Sequence, residues 1–135
     1  MSTAYPRDGG SPVALDHVQV AAPAGCEDDA RRFYGDLLGL AELEKPTALR
    51  PRGGVWFGLA GGLQLHIGVA EPFVAAVKAH PGFRLSGMVE LQALAVRLAE
   101  AGFGVRWDSA VDGVQRFFVD DPFGNRVEVL ADEGS

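Results

Sequence analysis

Three histidines and one glutamate carry the chemistry that this sequence offers. His17, His66 and His80 are its only histidines. Each falls within, or at the start of, a stretch that alternates like a β-strand. His17 and His80 stand 63 residues apart, and His66 stands 62 from Glu128. Those two spacings match the period of an internal repeat, so four related positions hold His, His, His and Glu. Imidazole and carboxylate together suit a divalent ion such as Zn, Ni, Co, Mn or Fe rather than calcium, which prefers oxygen cages. Three or four protein ligands leave positions open for water or substrate, as catalytic sites require. Such an ion would act as a Lewis acid on a bound carbonyl or oxyanion. Glu128 could bind the ion in one state and accept a proton as general base in another. A plainer role is open to Glu128, as the ion-pair partner of Arg116 or Arg126. Pro81, directly after His80, leaves open whether that histidine lies in a strand or in a connector.

The elements that must position these residues follow from periodicity. Ala30, Phe33, Tyr34, Leu37 and Leu38 fall at helical spacing, with Glu27, Asp28 and Asp29 in the first turn and Gly39 as a stop. Leu91, Leu94, Ala95 and Leu98 repeat the stripe, and Gly102 ends it. Strands are predicted over Leu15–Ala22, Gly54–Leu59, Leu63–Val69, Phe103–Trp107, Val114–Val119 and Arg126–Leu130, with weaker candidates at Leu40–Leu43 and Phe83–Met88. Ala60-Gly61-Gly62 and Asp-Asp-Pro-Phe-Gly-Asn (120–125) supply turn chemistry between consecutive strands. The helix stripes match at an offset of 61, Gly39 and Leu40 map onto Gly102 and Phe103 at 63, and Trp56, Gly62, Leu65 and Ile67 map onto Phe118, Gly124, Val127 and Val129 at 62. A duplicated half gives such a small drift. The fold class is therefore α+β: two βαβββ modules, about 14–69 and 80–131, forming one domain over 14–131 behind a loose tail at 1–13. A connector spans Ala70 to Ala79.

Strand alternation then fixes faces. Leu63, Leu65 and Ile67 share one side and Gln64 and His66 the other. Val127 and Val129 oppose Glu128, and Val18 and Val20 oppose His17 and Gln19. The ionisable side faces away from the helices, and curled sheets would make it a cleft. Trp56 and Phe118, matched by the repeat, are either stacking walls of that cleft or ordinary core aromatics. Gln19, Gln64 and Arg116 are either substrate contacts or solvated strand positions.

Composition narrows the partners. With 135 residues, 47% of them hydrophobic, the chain has the apolar content of a globular core, which argues against disorder. Twelve Lys and Arg against eighteen Asp and Glu leave a net charge of −6, which disfavours nucleic acid and anionic membranes. No apolar run approaches the ~18 residues of a membrane span, and the N-terminus lacks a signal-peptide layout. Cys26 is the only cysteine, so an intrachain disulfide is impossible and a cytoplasmic setting is expected. Cys26 precedes a predicted helix, where a thiol can be acidified, but an incidental small residue is the simpler reading.

Four segments give the sequence a family resemblance: Leu-Asp-His-Val-Gln-Val (15–20), Ala-Arg-Arg-Phe-Tyr-Gly-Asp-Leu-Leu-Gly-Leu (30–40), Leu-Gln-Leu-His-Ile-Gly (63–68) and Phe-Phe-Val-Asp-Asp-Pro-Phe-Gly-Asn-Arg-Val-Glu-Val-Leu (117–130). It resembles the vicinal oxygen chelate superfamily, which includes glyoxalase I, extradiol dioxygenases, fosfomycin-resistance thiol transferases and bleomycin-resistance proteins. The resemblance implies paired βαβββ modules whose curved mixed sheets enclose a metal cleft, in a homodimer that often shares the site between chains. It implies a divalent metal, a small-molecule substrate or ligand, and His17, His66, His80 and Glu128 at the ligand positions. Bacterial glyoxalase I typically carries Glu where His66 stands, which leaves Glu128 as the sole obvious base. His17, His80 and Glu128 reproduce the two-His, one-Glu set of the fosfomycin-resistance enzymes, without a clear counterpart of their phosphonate and potassium loop. The first expectation is a metal-dependent lyase or isomerase of the glyoxalase type acting on adjacent oxygens. The alternatives are a non-catalytic protein that sequesters a drug or metabolite, and a metal-dependent thiol transferase or dioxygenase of the same superfamily.

Overall fold

Each half of the chain builds a four-stranded mixed sheet from the same sequence of elements. The structure is a computed structural model that describes residues 9–135; the first eight residues of the expected tail lie outside it. β1 (His17–Ala22) is followed by α1 (Glu27–Ala30), which runs on as a π-helix over Arg31–Leu37. Then come β2 (Ala41–Leu43), β3 (Val55–Gly58) and β4 (Gln64–Val69). The second half repeats the order with β5 (Gly82–Arg84), α2 (Met88–Glu100), β6 (Arg106–Asp108), β7 (Val114–Asp120) and β8 (Arg126–Asp132). The sheets run β1-β4-β3-β2 and β5-β8-β7-β6, each with one parallel pair, β1/β4 and β5/β8. The predicted α+β fold with two βαβββ units is the observed one.

The apolar stripes fill one continuous core. Val20, Ala22, Val55, Phe57, Leu65 and Ile67 from the first sheet meet Phe33 and Tyr34 of the first helix. Phe117, Val119, Val127 and Val129 from the second meet Leu91, Leu94 and Leu98 of α2. Phe33 and Phe103, 5.0 Å apart edge to face, join the halves. The first helix differs from its expected α form. Leu38 donates its N–H to the Phe33 carbonyl five residues back, and the adjacent Phe33 and Tyr34 are both fully buried. Gly102, at φ +95°, ends α2 as expected, with Phe103 N–H returning to the Leu98 carbonyl.

Several boundaries depart from the periodicity, each for a packing reason. β1 starts at His17, since Leu15 stays 72% exposed and has no core to enter. Phe103 packs on Phe33 instead of pairing, so β6 begins only at Arg106. β5 stops at Arg84, because Met88 opens α2. The C-terminal residues Asp132 to Ser135, whose lack of apolar periodicity predicts a loose end, are tied down: Asp132 extends β8, and the Ser135 carbonyl accepts the Met88 N–H at the head of α2. Thr47–Arg52, which carries no helical stripe, forms a 3₁₀ turn.

Two contacts set the rigidity of this frame. Tyr34, wholly buried, donates its hydroxyl to Asp121 Oδ2 at 2.7 Å. Burial, with the Asp121 carboxylate beside it, holds the Tyr34 pKa well above its ordinary value. Gly54 sits at φ +87° where an added Cβ would stand 2.1 Å from the Ile67 carbonyl oxygen, so β3 can approach β4 only through a glycine.

Tyr34→Phe should therefore cost about 1–3 kcal/mol near neutral pH, since Asp121 loses a buried donor. A raised folded-state pKa means Tyr34's contribution is complete below its unfolded value of about 10 and fades as pH rises through the folded value. Urea unfolding at pH 7.5 and above pH 10 should show the gap between wild type and variant narrowing; a constant or widening gap contradicts this. Gly54→Ala should cost about 3 kcal/mol or more through backbone collision and strain. Gly61→Ala, at φ +85° with open space around it, should lose only the ~1–2 kcal/mol of left-handed backbone. Equal denaturation midpoints for these two variants would refute the collision.

Candidate functional site

The faces that alternation predicts are the ones observed. Register places Gln19 opposite His66 and Trp56 opposite His66 in the first sheet, and Phe118 opposite Glu128 in the second. Phe57 and Phe117, one residue along from Trp56 and Phe118, take the core positions. Trp56 and Phe118 thus lie on the histidine–glutamate side, away from the helices.

The first half contributes a stack of three rings. His66 lies flat against Trp56, with centroids 3.8 Å apart and planes 1° off parallel. His17 covers it from another side at 4.4 Å and 14°. Only 5% of His66 is exposed. Burial, then the neighbouring His17, pushes its pKa below that of a free histidine, so it is neutral near pH 7. Its Nε2 is 2.9 Å from Gln64 Oε1. His17 Nδ1 donates to Asp16 Oδ2 at 2.9 Å, which leaves Nε2 as the nitrogen free to ligate. Because His17 and His66 lie face to face, their in-plane lone pairs run side by side rather than toward one point.

The second half contributes a polar pair. His80 Nε2 stands 3.0 Å from Glu128 Oε1, and His80 Nδ1 is 2.8 Å from the Lys78 carbonyl. A carbonyl only accepts, so Nδ1 carries a proton. Nε2 of a neutral ring would then point its lone pair at a carboxylate oxygen, an arrangement that a proton or a cation must reconcile. Two ligands each ~2.0–2.1 Å from a divalent ion sit about this far apart. A histidine whose other nitrogen donates to a backbone carbonyl or a carboxylate is the usual metal-bound form. His80 and His17 both have that support, so the donor set fits a divalent metal.

Arg116 reaches Glu128 Oε1 at 3.4 Å and is itself held by Asp108 at 3.1 Å. The Ala110 N–H, with Arg116, keeps the Asp108 carboxyl below its ordinary pKa. Arg116 and Arg126 lie 5.0 and 5.3 Å over the Phe118 ring, and the His80 ring meets its edge. The chain thus brings His17 to His66 and His80 to Glu128. Among the described residues no three His, Cys, Asp or Glu side chains gather as a metal set. Cys26 takes no part: it is buried, 3.6 Å from Glu27, and its pKa is pushed up to about 11 by desolvation and then Glu27.

Residues that sequence reasoning passed over border the same face. Lys45 and Arg52, from the segment between β2 and β3, line a polar pocket with Gln19 and Trp56. Their one signal in the sequence is a concentration of basic residues, Lys45, Arg50 and Arg52, in an acidic chain.

Comparison with known proteins agrees with this architecture. A family model described as Glyoxalase/Bleomycin resistance protein/Dioxygenase superfamily matches residues 14–129. A glyoxalase-family protein of Bacillus anthracis is 42% identical, with a TM-score of 0.84, over 93% of this chain and 99% of that one. Lactoylglutathione lyase from Agrobacterium tumefaciens shares the fold at 23% identity and a TM-score of 0.68, covering 89% and 94% of the two chains. The fosfomycin resistance protein FosX of Listeria monocytogenes does so at 16% and 0.71, covering 89% and 93%. Among curated proteins, none matches the sequence. The match over most of the chain, together with the duplicated βαβββ sheets, makes this protein a member of the Glyoxalase/Bleomycin resistance protein/Dioxygenase superfamily.

Proposed function

We propose that the protein is a divalent-metal-dependent lyase or isomerase of the glyoxalase type, acting on a small substrate with adjacent oxygens. The observation that carries the proposal is the His80–Glu128 pair, 3.0 Å apart with the proton on His80 Nδ1 committed to the Lys78 carbonyl. His17, supported by Asp16, is the third proposed ligand. His66 is the fourth, available once its ring turns out of the stack with His17 and its Nε2 leaves Gln64. Since one chain pairs these residues two and two, the proposed site joins His17 and His66 of one copy to His80 and Glu128 of a second, in a homodimer.

When bound, Zn, Ni, Co, Mn or Fe supplies Lewis-acid polarisation of the substrate oxygens. The chain's own residues then handle the proton. Both contacts to Glu128 fall on Oε1, so Oε2 is left to take a proton from the carbon beside a polarised carbonyl. Arg116, braced by Asp108, holds the carboxylate in place. A carboxylate with one uncommitted oxygen suits proton transfer and favours a lyase or isomerase over the thiol-transfer and dioxygenase alternatives. The Trp56–His66–His17 stack supports a second reading, sequestration of a planar drug or metabolite against the aromatic wall.

Metal titration of the purified chain separates the readings. His80→Ala and Glu128→Gln should each weaken binding by more than the ~10–100-fold typical of losing a supporting residue, and His66→Ala by less. Co-expressed His17→Ala and Glu128→Gln chains should recover about one quarter of wild-type metal sites, because mixed dimers regain one intact site of two. No recovery places the ligands within one chain. A chain that takes up none of the five ions, yet binds a planar cationic ligand, replaces the enzyme reading with the second.

A further inference from the structure

Next to the ring stack lies a pocket of about 210 Å³ whose lining includes Gln19, Lys45, Arg52, Trp56 and Gly68. Register puts it on the same face as His66: Gln19 is paired with His66, and Gly68 lies two residues along β4. Gly68 keeps the floor low, since a Cβ there would come within 2.7 Å of the Gln19 amide carbon. The short segment beside it carries three basic side chains, of which Lys45 and Arg52 line the pocket, and they differ in commitment. Arg50 is ion-paired with Glu44. Lys45 donates one of its three protons to the Gly53 carbonyl at 2.7 Å. Arg52 is exposed and enters no ion pair or hydrogen bond among the described residues. Glu27, whose charge interacts with Lys45, spends its Oε2 on the Gly54 N–H at 2.7 Å. Two cations therefore face one small polar pocket in a chain of net charge −6.

We propose that Lys45 and Arg52 form a subsite for an oxyanion, a carboxylate or phosphoryl group, on the substrate, with Trp56 as its apolar wall. The proposal deepens the function given above and rests on it for the identity of the neighbouring reaction centre. An arginine fork and an ammonium on one concave surface are a recognised pairing for a planar or tetrahedral oxyanion. The volume admits a head group and a short linker, which would leave the remainder of the substrate over His66.

The test reads Trp56 fluorescence in the metal-free, full-length chain carrying Trp107→Phe, so that a single tryptophan reports. Inorganic phosphate and succinate are titrated separately, against chloride at matched ionic strength. A saturable response to either oxyanion is expected, weakened at least about tenfold by Arg52→Gln and unchanged by Arg84→Gln, which removes an equal charge paired with Asp132 on the other sheet. Tighter phosphate assigns a phosphoryl source and tighter succinate a carboxylate source. An identical response to chloride, no saturation, or equal affinity in Arg52→Gln overturns the subsite. Since this readout needs no metal, anion binding without metal binding sinks the enzyme reading alone. Metal binding without anion binding sinks the subsite alone.

Discussion

A single buried carboxylate holds the two halves of this molecule in register. Asp121, 4% exposed, accepts the Tyr34 hydroxyl at 2.7 Å, the backbone N–H groups of Phe123 and Asn125 at 2.9 Å, and the Asn125 amide at 3.0 Å. An ionised carboxylate would be far too costly to bury without such donors. Asn125, 1% exposed, passes the constraint outward, donating to the Ala21 carbonyl and accepting the Ala76 N–H. The turn before β8 is thereby tied to the π-helix, to β1 and to the connector. Those tethers reach the segments that carry chemistry: β1 starts at His17, the connector leads from Ala76 to His80, and β8 holds Glu128. Each orphaned group in the network would cost about 1–3 kcal/mol, so the network favours one relative placement of the halves over a continuum.

Duplication then gives two equivalent positions and different chemistry at each. In the first sheet His17 stands two residues before Gln19, which pairs with His66; in the second His80 stands two before Gly82, which pairs with Glu128. The backbone relation is the same. Where both partners are aromatic they stack, and where one is a carboxylate they make a hydrogen bond. Trp56 and Phe118 follow the same logic. The tryptophan lies flat on a neutral imidazole, while the phenylalanine takes two guanidinium groups on its ring.

What the sequence makes legible is local or periodic. Alternation assigns His17, Gln19, Gln64, His66 and Glu128 to the inner face because a strand's side-chain period is two, whatever surrounds it. The repeat pairs His17 with His80 and His66 with Glu128 because duplicated backbones keep their register. The π-helix is not visible in this way, since its apolar stripe over Ala30–Leu38 also satisfies an α-helix. Asp-Asp-Pro-Phe-Gly-Asn reads as a turn, and it is one. Nothing local shows that Asp121 is buried, because its tyrosine partner lies 87 residues earlier in the chain. The same limit hides Lys45 and Arg52: they lie in a segment without period, and β3, β4 and β1 give them a pocket only after pairing.

The inner faces of the two halves also differ in charge, and the difference bears on how a substrate would lie. In the second half the cations are largely answered: Arg116 by Asp108 and Glu128, and Phe118 shields Arg116 and Arg126 from one side. In the first half Asp16 is occupied with His17, and Lys45 and Arg52 enter no ion pair among the described residues. Charge interactions within a partly enclosed polar pocket are stronger than on open surface, because water screens them less. An oxyanion gains most where positive charge is least compensated, at Arg52 with Lys45 beside it. A proton is best received where an oriented carboxylate waits, at Glu128. In the proposed dimer these ends belong to opposite faces of one cleft. A substrate anchored by its anionic end on the first half of one copy would extend its reactive end toward the second half of the other, so the charge asymmetry between the duplicated modules supplies direction.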